Sequence, residues 1–274
     1  MNAEPLFDLK AVTFRFPETL ALDAVSLSIA QGERVAVLGA NGSGKSTLLR
    51  ILGGLSFAAQ GTALFRGREL TEGNLADEPF ALEFRRRVGI VFQNPDVQLF
   101  NPTVLDEIAF GPLQLGWPEA DVIERVNATM DEMGIAHLKD RAPHRLSGGE
   151  KKRVALASVL VLDPDVLLMD EPTAALDPQS QGGIVDFLFG CIGRKTVVTA
   201  THNLDIVADI ADRCIVLENG RIAASGAPAD VLRDVDLLMR THLVHAHRHR
   251  HASGVVHSHP HLHDAHGHVH HEHD

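Results

Sequence analysis

Apolar and polar residues alternate with period two at positions 11–16 (AVTFRF) and 24–29 (AVSLSI), which predicts two strands with one buried face each. Positions 34–40 (RVAVLGA) form an unbroken apolar run, as in a strand covered on both faces. A glycine-rich turn stops that run, and 46–55 (STLLRILGGL) continues at helical spacing. Strand patterns return at 61–67 (GTALFRG) and 87–93 (RVGIVFQ). From 94 to 162 the pattern is mostly helical, broken at Pro102, Gly111, Pro112, Gly116, Pro118 and Gly134. Buried-type strands follow at 165–171 (DVLLMDE) and 195–202 (KTVVTATH), then a hairpin over 213–225 turning at Asn219-Gly220, then one helix over 228–243. Strands that alternate with helices place the chain in the α/β class with a parallel-sheet core.

The chain has 274 residues, 45% of them hydrophobic, enough to bury a core without metals or disulfides. Its net charge of −11 argues against nucleic-acid binding, which rests on basic residues neutralising phosphates. Cys191 and Cys214 form no paired motif and read as reduced, buried thiols. The first residues carry no basic-then-apolar leader, and no run of 18 apolar residues is present. If the protein works at a membrane, another chain must hold it there.

The chemistry begins at GANGSGKST, which matches G-x-x-x-x-G-K-[ST] at Gly39, Gly44, Lys45 and Ser46 between a strand and a helix. Asn41, Gly42, Ser43 and Gly44 would turn backbone N–H groups inward, and the following helix would add its positive N-terminal end. Lys45 is expected on the β- and γ-phosphates, Ser46 on Mg²⁺, and Thr47 completes the cradle. At the end of a buried strand stand Asp170 and Glu171; Asp170 would hold Mg²⁺ and Glu171 would activate the attacking water. LSGGE is a third candidate. Ser147-x-x-Glu150 is a capping box, but Gly148 and Gly149 are poor helix formers, each costing about 1 kcal/mol against alanine. A bare helix start suits close approach to an anion.

LSGGE resembles the signature motif of ATP-binding cassette (ABC) ATPases. GANGSGKST, VLLMDE, Gln93 in VFQNP, AALD ending at Asp177, and His202 in TATHN accompany it in that family's order, over residues from about 6 to 240. The resemblance implies a P-loop (RecA-like) ATPase core with an antiparallel β subdomain and a helical signature subdomain at about 94–162. It also implies a head-to-tail dimer, a homodimer or a pair with a homologous ATPase. Each ATP would lie between one subunit's phosphate loop and Ser147, Gly148 and Gly149 supplied in trans. Gln93 would sense the γ-phosphate, Mg²⁺ and the lytic water, His202 would contact the γ-phosphate, and Asp177 would lie at the dimer seam. Phe16 stands where the family usually has a tyrosine stacked on adenine. Glu150 stands where it most often has glutamine.

FQNPDVQLFNPTVLDEIAFGP resembles the same region of energy-coupling-factor transporter ATPases, which drive vitamin and metal importers. That resemblance implies integral membrane partners, an energy-coupling transmembrane protein and a substrate-specific component, and a peripheral position on the cytoplasmic face of the cell membrane. Neither a long heptad insertion nor a basic groove points to a DNA-repair ABC ATPase.

Fourteen of the 17 histidines follow residue 241. Residues 241–274 lack periodic apolar positions and are expected to be a disordered, histidine-rich tail after a nucleotide-binding domain at 1–240. Neutral imidazoles bind Ni²⁺, Co²⁺, Zn²⁺ or Cu²⁺, and His245, His247, His249, His251, His257, His259, His261 and His263 are the candidate ligands. With the transporter motifs, the tail points to nickel or cobalt as cargo; a conventional zinc importer, or an energy-coupling-factor ATPase for another micronutrient, is the alternative.

Overall fold

The structure is a computed structural model that describes residues 4–244, 246–250 and 256–260. The chain opens with β1 (Phe7–Arg15), β2 (Leu20–Ile29), β3 (Arg34–Leu38), α1 (Lys45–Leu52), β4 (Gln60–Phe65) and β5 (Arg68–Glu69). Next come α2 (Glu72–Ala76), α3 (Glu78–Arg87), β6 (Val88–Val91), α4 (Val104–Gln114), α5 (Glu119–Glu132) and α6 (Gly148–Leu160). The last third holds β7 (Val166–Asp170), α7 (Pro178–Gly190), β8 (Thr196–Thr201), α8 (Val207–Ile210), β9 (Arg213–Glu218), β10 (Arg221–Gly226), α9 (Pro228–Arg233) and α10 (Val235–Arg240).

Two sheets carry the body. The central one runs β10-β9-β3-β8-β7-β6, parallel throughout except for the β9–β10 hairpin. β3, β7 and β8 are buried along their whole length, which explains their lack of polar alternation. The second sheet, β2-β1-β4-β5, is antiparallel, and its alternation hides one face. A core formed by Phe7, Leu22, Leu49, Phe65 and Leu168 joins it to α1 and the central sheet. On the opposite face Leu156, Met169, Leu188 and Val207 pack α6, α7 and α8. A separate cluster of Ile108, Val126, Met130 and Val154 makes α4, α5 and α6 a subdomain of their own.

Three local readings change. The helix expected over 228–243 is two helices, because Asp234 leaves helical geometry (φ −80°, ψ 80°) and its carboxylate caps α10 by accepting from Leu237 N at 2.9 Å. The body also continues past residue 240: Thr241 and Val244 are buried, and Leu243 packs on the core. In the tail, β11 (Ala246–Arg250) pairs antiparallel with β12 (Val256–Pro260), so these two stretches are strands where an unstructured chain was expected. Both alternate histidine with other residues at the strand period.

Candidate functional site

The phosphate loop follows β3 at its carboxyl end. Gly44 takes φ 107°, and a Cβ there would lie 2.5 Å from Ala21 O, so the loop closes against β2 only with glycine. Phe16, Asn41, Gly42, Gly44, Lys45, Ser46, Thr47, Gln93, Asp170 and Glu171 line one cleft of about 440 Å³. Ten predicted nucleotide-site residues from four distant parts of the chain thus converge. Ser43 contributes differently: its side chain is buried, its N–H donates to Ala40 O at 3.1 Å, and its Oγ has no hydrogen-bond partner. Phe16 stands exposed at the rim, edge-on to Phe14 with ring centroids 5.1 Å apart.

Lys45 is buried, with Nζ donating to Gly39 O at 2.7 Å and lying 3.7 Å from Glu171 Oε1. Burial lowers its pKa, against the attraction of Glu171 and Asp170. Asp170 is pushed the other way, its carboxyl raised chiefly by burial although the Ser46 side chain hydrogen-bonds to it. Its Oδ1 is buried without a partner. A hydroxyl and an unsatisfied carboxylate oxygen on one cleft wall are a hard-oxygen donor set, and they fit Mg²⁺.

Glu171 is the most constrained residue of the site. It sits one position past β7 at φ 46°, a region that costs a non-glycine residue about 1–3 kcal/mol, and its N–H donates to Ala200 O at 2.8 Å. The buried carboxylate accepts from Thr201 Oγ1 at 3.1 Å, and Oε1 lies 2.7 Å from His202 Nδ1. His202 lines an adjoining cavity with Glu171, Ala174 and Asn203. Thr201 was not singled out in the sequence; a strand-end threonine carries no distinguishing signal.

The signature segment lies elsewhere and lines neither of these two clefts. The capping box forms: Ser147 N donates to Glu150 Oε2 at 2.7 Å and Ser147 Oγ accepts from Glu150 N at 3.4 Å. Those bonds hold the Glu150 carboxyl below its usual range. The two glycines differ. A Cβ on Gly149 would meet Ser180 Oγ at 2.6 Å, whereas one on Gly148 would meet nothing within 4 Å. Asp177 caps α7 by accepting from Ser180 N at 3.0 Å, and its Oδ2 accepts from Ser180 Oγ at 2.7 Å.

The segment after Gln93 proves to be built of fastenings. Asn94 caps a short 3₁₀ turn, Thr103 caps α4, and Gln98 Nε2 donates to Ala155 O at 2.8 Å. Glu107 Oε2 accepts from Phe100 N and Asn101 N at 2.8 and 2.7 Å. Lys152, which the sequence reading passed over, donates from Nζ to Gln93 O at 2.6 Å. Burial pushes its pKa down to about 8, against Asp170 and Glu171. Arg87 closes α3 and pairs with Asp165 at 2.7 Å.

Of the tail ligands, His245, His251, His261 and His263 lie outside the described residues, and His247, His249, His257 and His259 fall on β11 and β12. Among the described residues no group of three or more His, Cys, Asp or Glu side chains is placed to hold a metal.

A phosphate loop, a carboxylate pair at the next-but-one strand end and a glycine-started helix on a separate subdomain define an ABC-type ATPase. The chain belongs to the ABC transporter family, whose model matches residues 22–174. It is 53% identical over 244 residues to the nickel import ATP-binding protein NikO of Rhodobacter capsulatus, spanning 88% of this chain and 96% of that protein. Its fold is similar to that of cbiO1 from Clostridium perfringens, part of the ABC transporter complex cbiONQ (TM-score 0.73, 35% identity, 88% of this chain and 96% of that one). It is also similar to a dimeric ATP-binding cassette in a post-hydrolysis state bound to ADP and Pi (TM-score 0.73, 28% identity, 81% and 98%). The protein is thus an ATP-hydrolysing subunit of a transporter.

Proposed function

We propose that this ATPase drives a membrane importer of nickel or cobalt ions through ATP-dependent closure of a head-to-tail dimer. The observation that carries the catalytic half is Glu171, buried and strained between Lys45 and His202 at the cleft that holds the phosphate loop. Phe16 stacks on the adenine, and Asn41, Gly42, Ser43, Gly44 and Thr47 cradle the phosphates with the N-terminus of α1. Lys45 exchanges Gly39 O for the β- and γ-phosphates. Ser46, Asp170 and Gln93 would hold Mg²⁺, which would supply charge neutralisation to the nucleotide phosphates. Glu171 orients and deprotonates the attacking water, and His202 contacts the γ-phosphate.

The other half of the site comes from the partner. A Cβ on Gly148 would meet nothing within 4 Å, so its own chain leaves this helix start open to a group from outside the monomer. Ser147, Gly148 and Gly149 would supply it against the γ-phosphate of the opposite subunit.

No helix among the described residues is long and apolar enough to cross a membrane. We assign the protein to the cytoplasmic face of the cell membrane, held by integral transporter subunits. Exposed Val97, Phe100, Phe110 and Leu113 on the segment after Gln93 and on α4 are the apolar surface for them, with Phe100 and Phe110 edge-on at 5.0 Å. Cargo rests on the name of the nickel relative and on the tail. The β11–β12 register sets His247 opposite His259 and His249 opposite His257, and positions two apart share a strand face. Ni²⁺, Co²⁺ or Zn²⁺ would bind the neutral imidazoles of this tail. Purifying the chain with its membrane subunits and measuring ATP-dependent uptake of ⁶³Ni²⁺, ⁵⁷Co²⁺ and ⁶⁵Zn²⁺ into vesicles tests the cargo. Nickel or cobalt uptake supports it, and zinc alone overturns it.

A further inference from the structure

Lys152 is a buried ammonium with no carboxylate bonded to it. Its residue is 2% exposed, and Nζ donates to two backbone carbonyls, Gln93 O at 2.6 Å and Phe92 O at 3.4 Å. Burying such a charge is costly, and methionine would fill similar space without that penalty. The place of the contact is informative. Phe92 and Gln93 directly follow β6, the edge strand of the central sheet, and Gln93 lines the nucleotide cleft. Lys152 lies on α6, about one turn beyond Ser147, Gly148 and Gly149. Other bonds run in parallel: Gln98 Nε2 donates to Ala155 O and Ser158 Oγ on α6 while its Oε1 accepts from Phe92 N, and Lys151 Nζ pairs with the exposed Asp96, but none of them holds Gln93. Lys152 alone fastens Gln93 itself among the bonds described here.

We propose that Lys152 is a positioning residue that couples the two ATP sites of the dimer, by tying the glutamine of its own nucleotide cleft to the helix whose first turn completes the partner's. This rests on the composite-dimer reading given above. A shift of the Gln93 backbone when nucleotide enters one cleft is carried through two carbonyls to α6. There it sets the position of Ser147 and Gly148 in the other site. The linkage works equally in reverse, since a coupling free energy is reciprocal. Lys152 touches no nucleotide, so its loss should spare the first binding event and damage communication.

The test uses the full-length chain and two substitutions. Lys152→Met keeps the length and removes the donor; Lys152→Arg keeps a cationic donor. Nucleotide affinity of the dilute monomer, read with a fluorescent ATP analogue, should change less than about twofold in both. In Lys152→Met the Hill coefficient of ATP hydrolysis should fall from near two, about the number of coupled sites, towards one. Its kcat should fall about tenfold at unchanged monomer affinity, and Lys152→Arg should recover most of both. Wild-type cooperativity and kcat in Lys152→Met would overturn the proposal, as would an equal loss in both variants. Should Lys152→Met melt well below wild type, Lys152→Gln, a shorter neutral donor, takes its place with the same expected split. The dimer reading is checked separately in Glu171→Gln. If ATP does not dimerise that single variant, the composite site is wrong. If it dimerises, and Glu171→Gln/Lys152→Met follows the same ATP dependence with the same Hill coefficient, the coupling role alone fails.

Discussion

The nucleotide cleft and the signature turn differ in how far the chain's own groups engage them. In the cleft Lys45 holds Gly39 O and Glu171 is bonded by Thr201 and His202, while Asp170 keeps one buried oxygen without a partner. At the signature turn the capping box settles Ser147 and Glu150, while Gly148 faces open space. On the proposed reading the first arrangement can bind nucleotide by itself. The second is open at its helix start, and in the proposed dimer it completes the partner's site. The same comparison separates affinity, which belongs to the cleft, from turnover, which needs both.

The largest expected effect is at Glu171. Glu171→Gln should keep ATP affinity within a few-fold and lower turnover by about three orders of magnitude, with a nucleotide-bound dimer accumulating on size exclusion. Near-normal steady-state hydrolysis would remove Glu171 from the chemistry. Lys45→Ala acts on affinity instead and should weaken ATP binding by about 10–100-fold by calorimetry, from loss of a charge-assisted bond. Mixed with Ser147→Arg chains it should give dimers that hold ATP at one site only; two equally filled sites would contradict completion in trans. Gly148→Ala sharpens the contrast with a smaller effect of opposite signs. The monomer should melt at the same temperature or gain up to about 1 kcal/mol, because alanine favours the helix, while ATP-driven dimerisation weakens. A variant that dimerises like wild type would mean Gly148 faces no ligand.

The smallest effect on ATP hydrolysis should come from the tail. Cutting after Val244, past the buried Thr241, should leave hydrolysis within about twofold while equilibrium dialysis shows most bound Ni²⁺ or Co²⁺ lost. In the full chain bound metal should fall between pH 7 and pH 5, since imidazole, with an ordinary pKa near 6.5, gains a proton there and no longer offers a lone pair. Equal metal binding with and without the tail would sink its role.

How much of this was legible follows from the range of the forces. The phosphate loop and the Asp170–Glu171 pair are local patterns between strong periodic elements, so their identity and placement could be read directly. The split at Asp234 was hidden because the apolar spacing of 228–243 continues across it, and only the cap betrays the break. Lys152 was invisible for another reason: within KKR it looks like a solvated run, and its burial depends on Phe92 and Gln93, some 60 residues earlier. The segment after Gln93 was legible only through its resemblance to energy-coupling-factor ATPases, which leaves its Asn, Gln and Glu residues without a structural role. Much of that polarity instead fastens the segment to α4 and α6. The strand order of the central sheet, which sets β8 between β3 and β7, is a long-range outcome that no window of sequence encodes.

The hairpin turn at Asn219-Gly220 has a consequence for the growing chain. Both residues take positive φ, Gly220 N donates to Ser43 O at 3.0 Å, Gly220 O accepts from Asp23 N at 2.9 Å, and a Cβ on Gly220 would lie 2.8 Å from Ala21 O. The brace behind the phosphate loop is therefore made of residues synthesised late, well after the loop itself. At about 5–20 residues per second, Gly220 follows Gly44 by roughly 10–35 s of translation. During that time the ribosome displays an N-terminal half whose nucleotide cradle is unbraced. ATP thus meets a finished cradle only after nearly the whole motor has been made, and nascent chains stalled before residue 220 should fail to retain it.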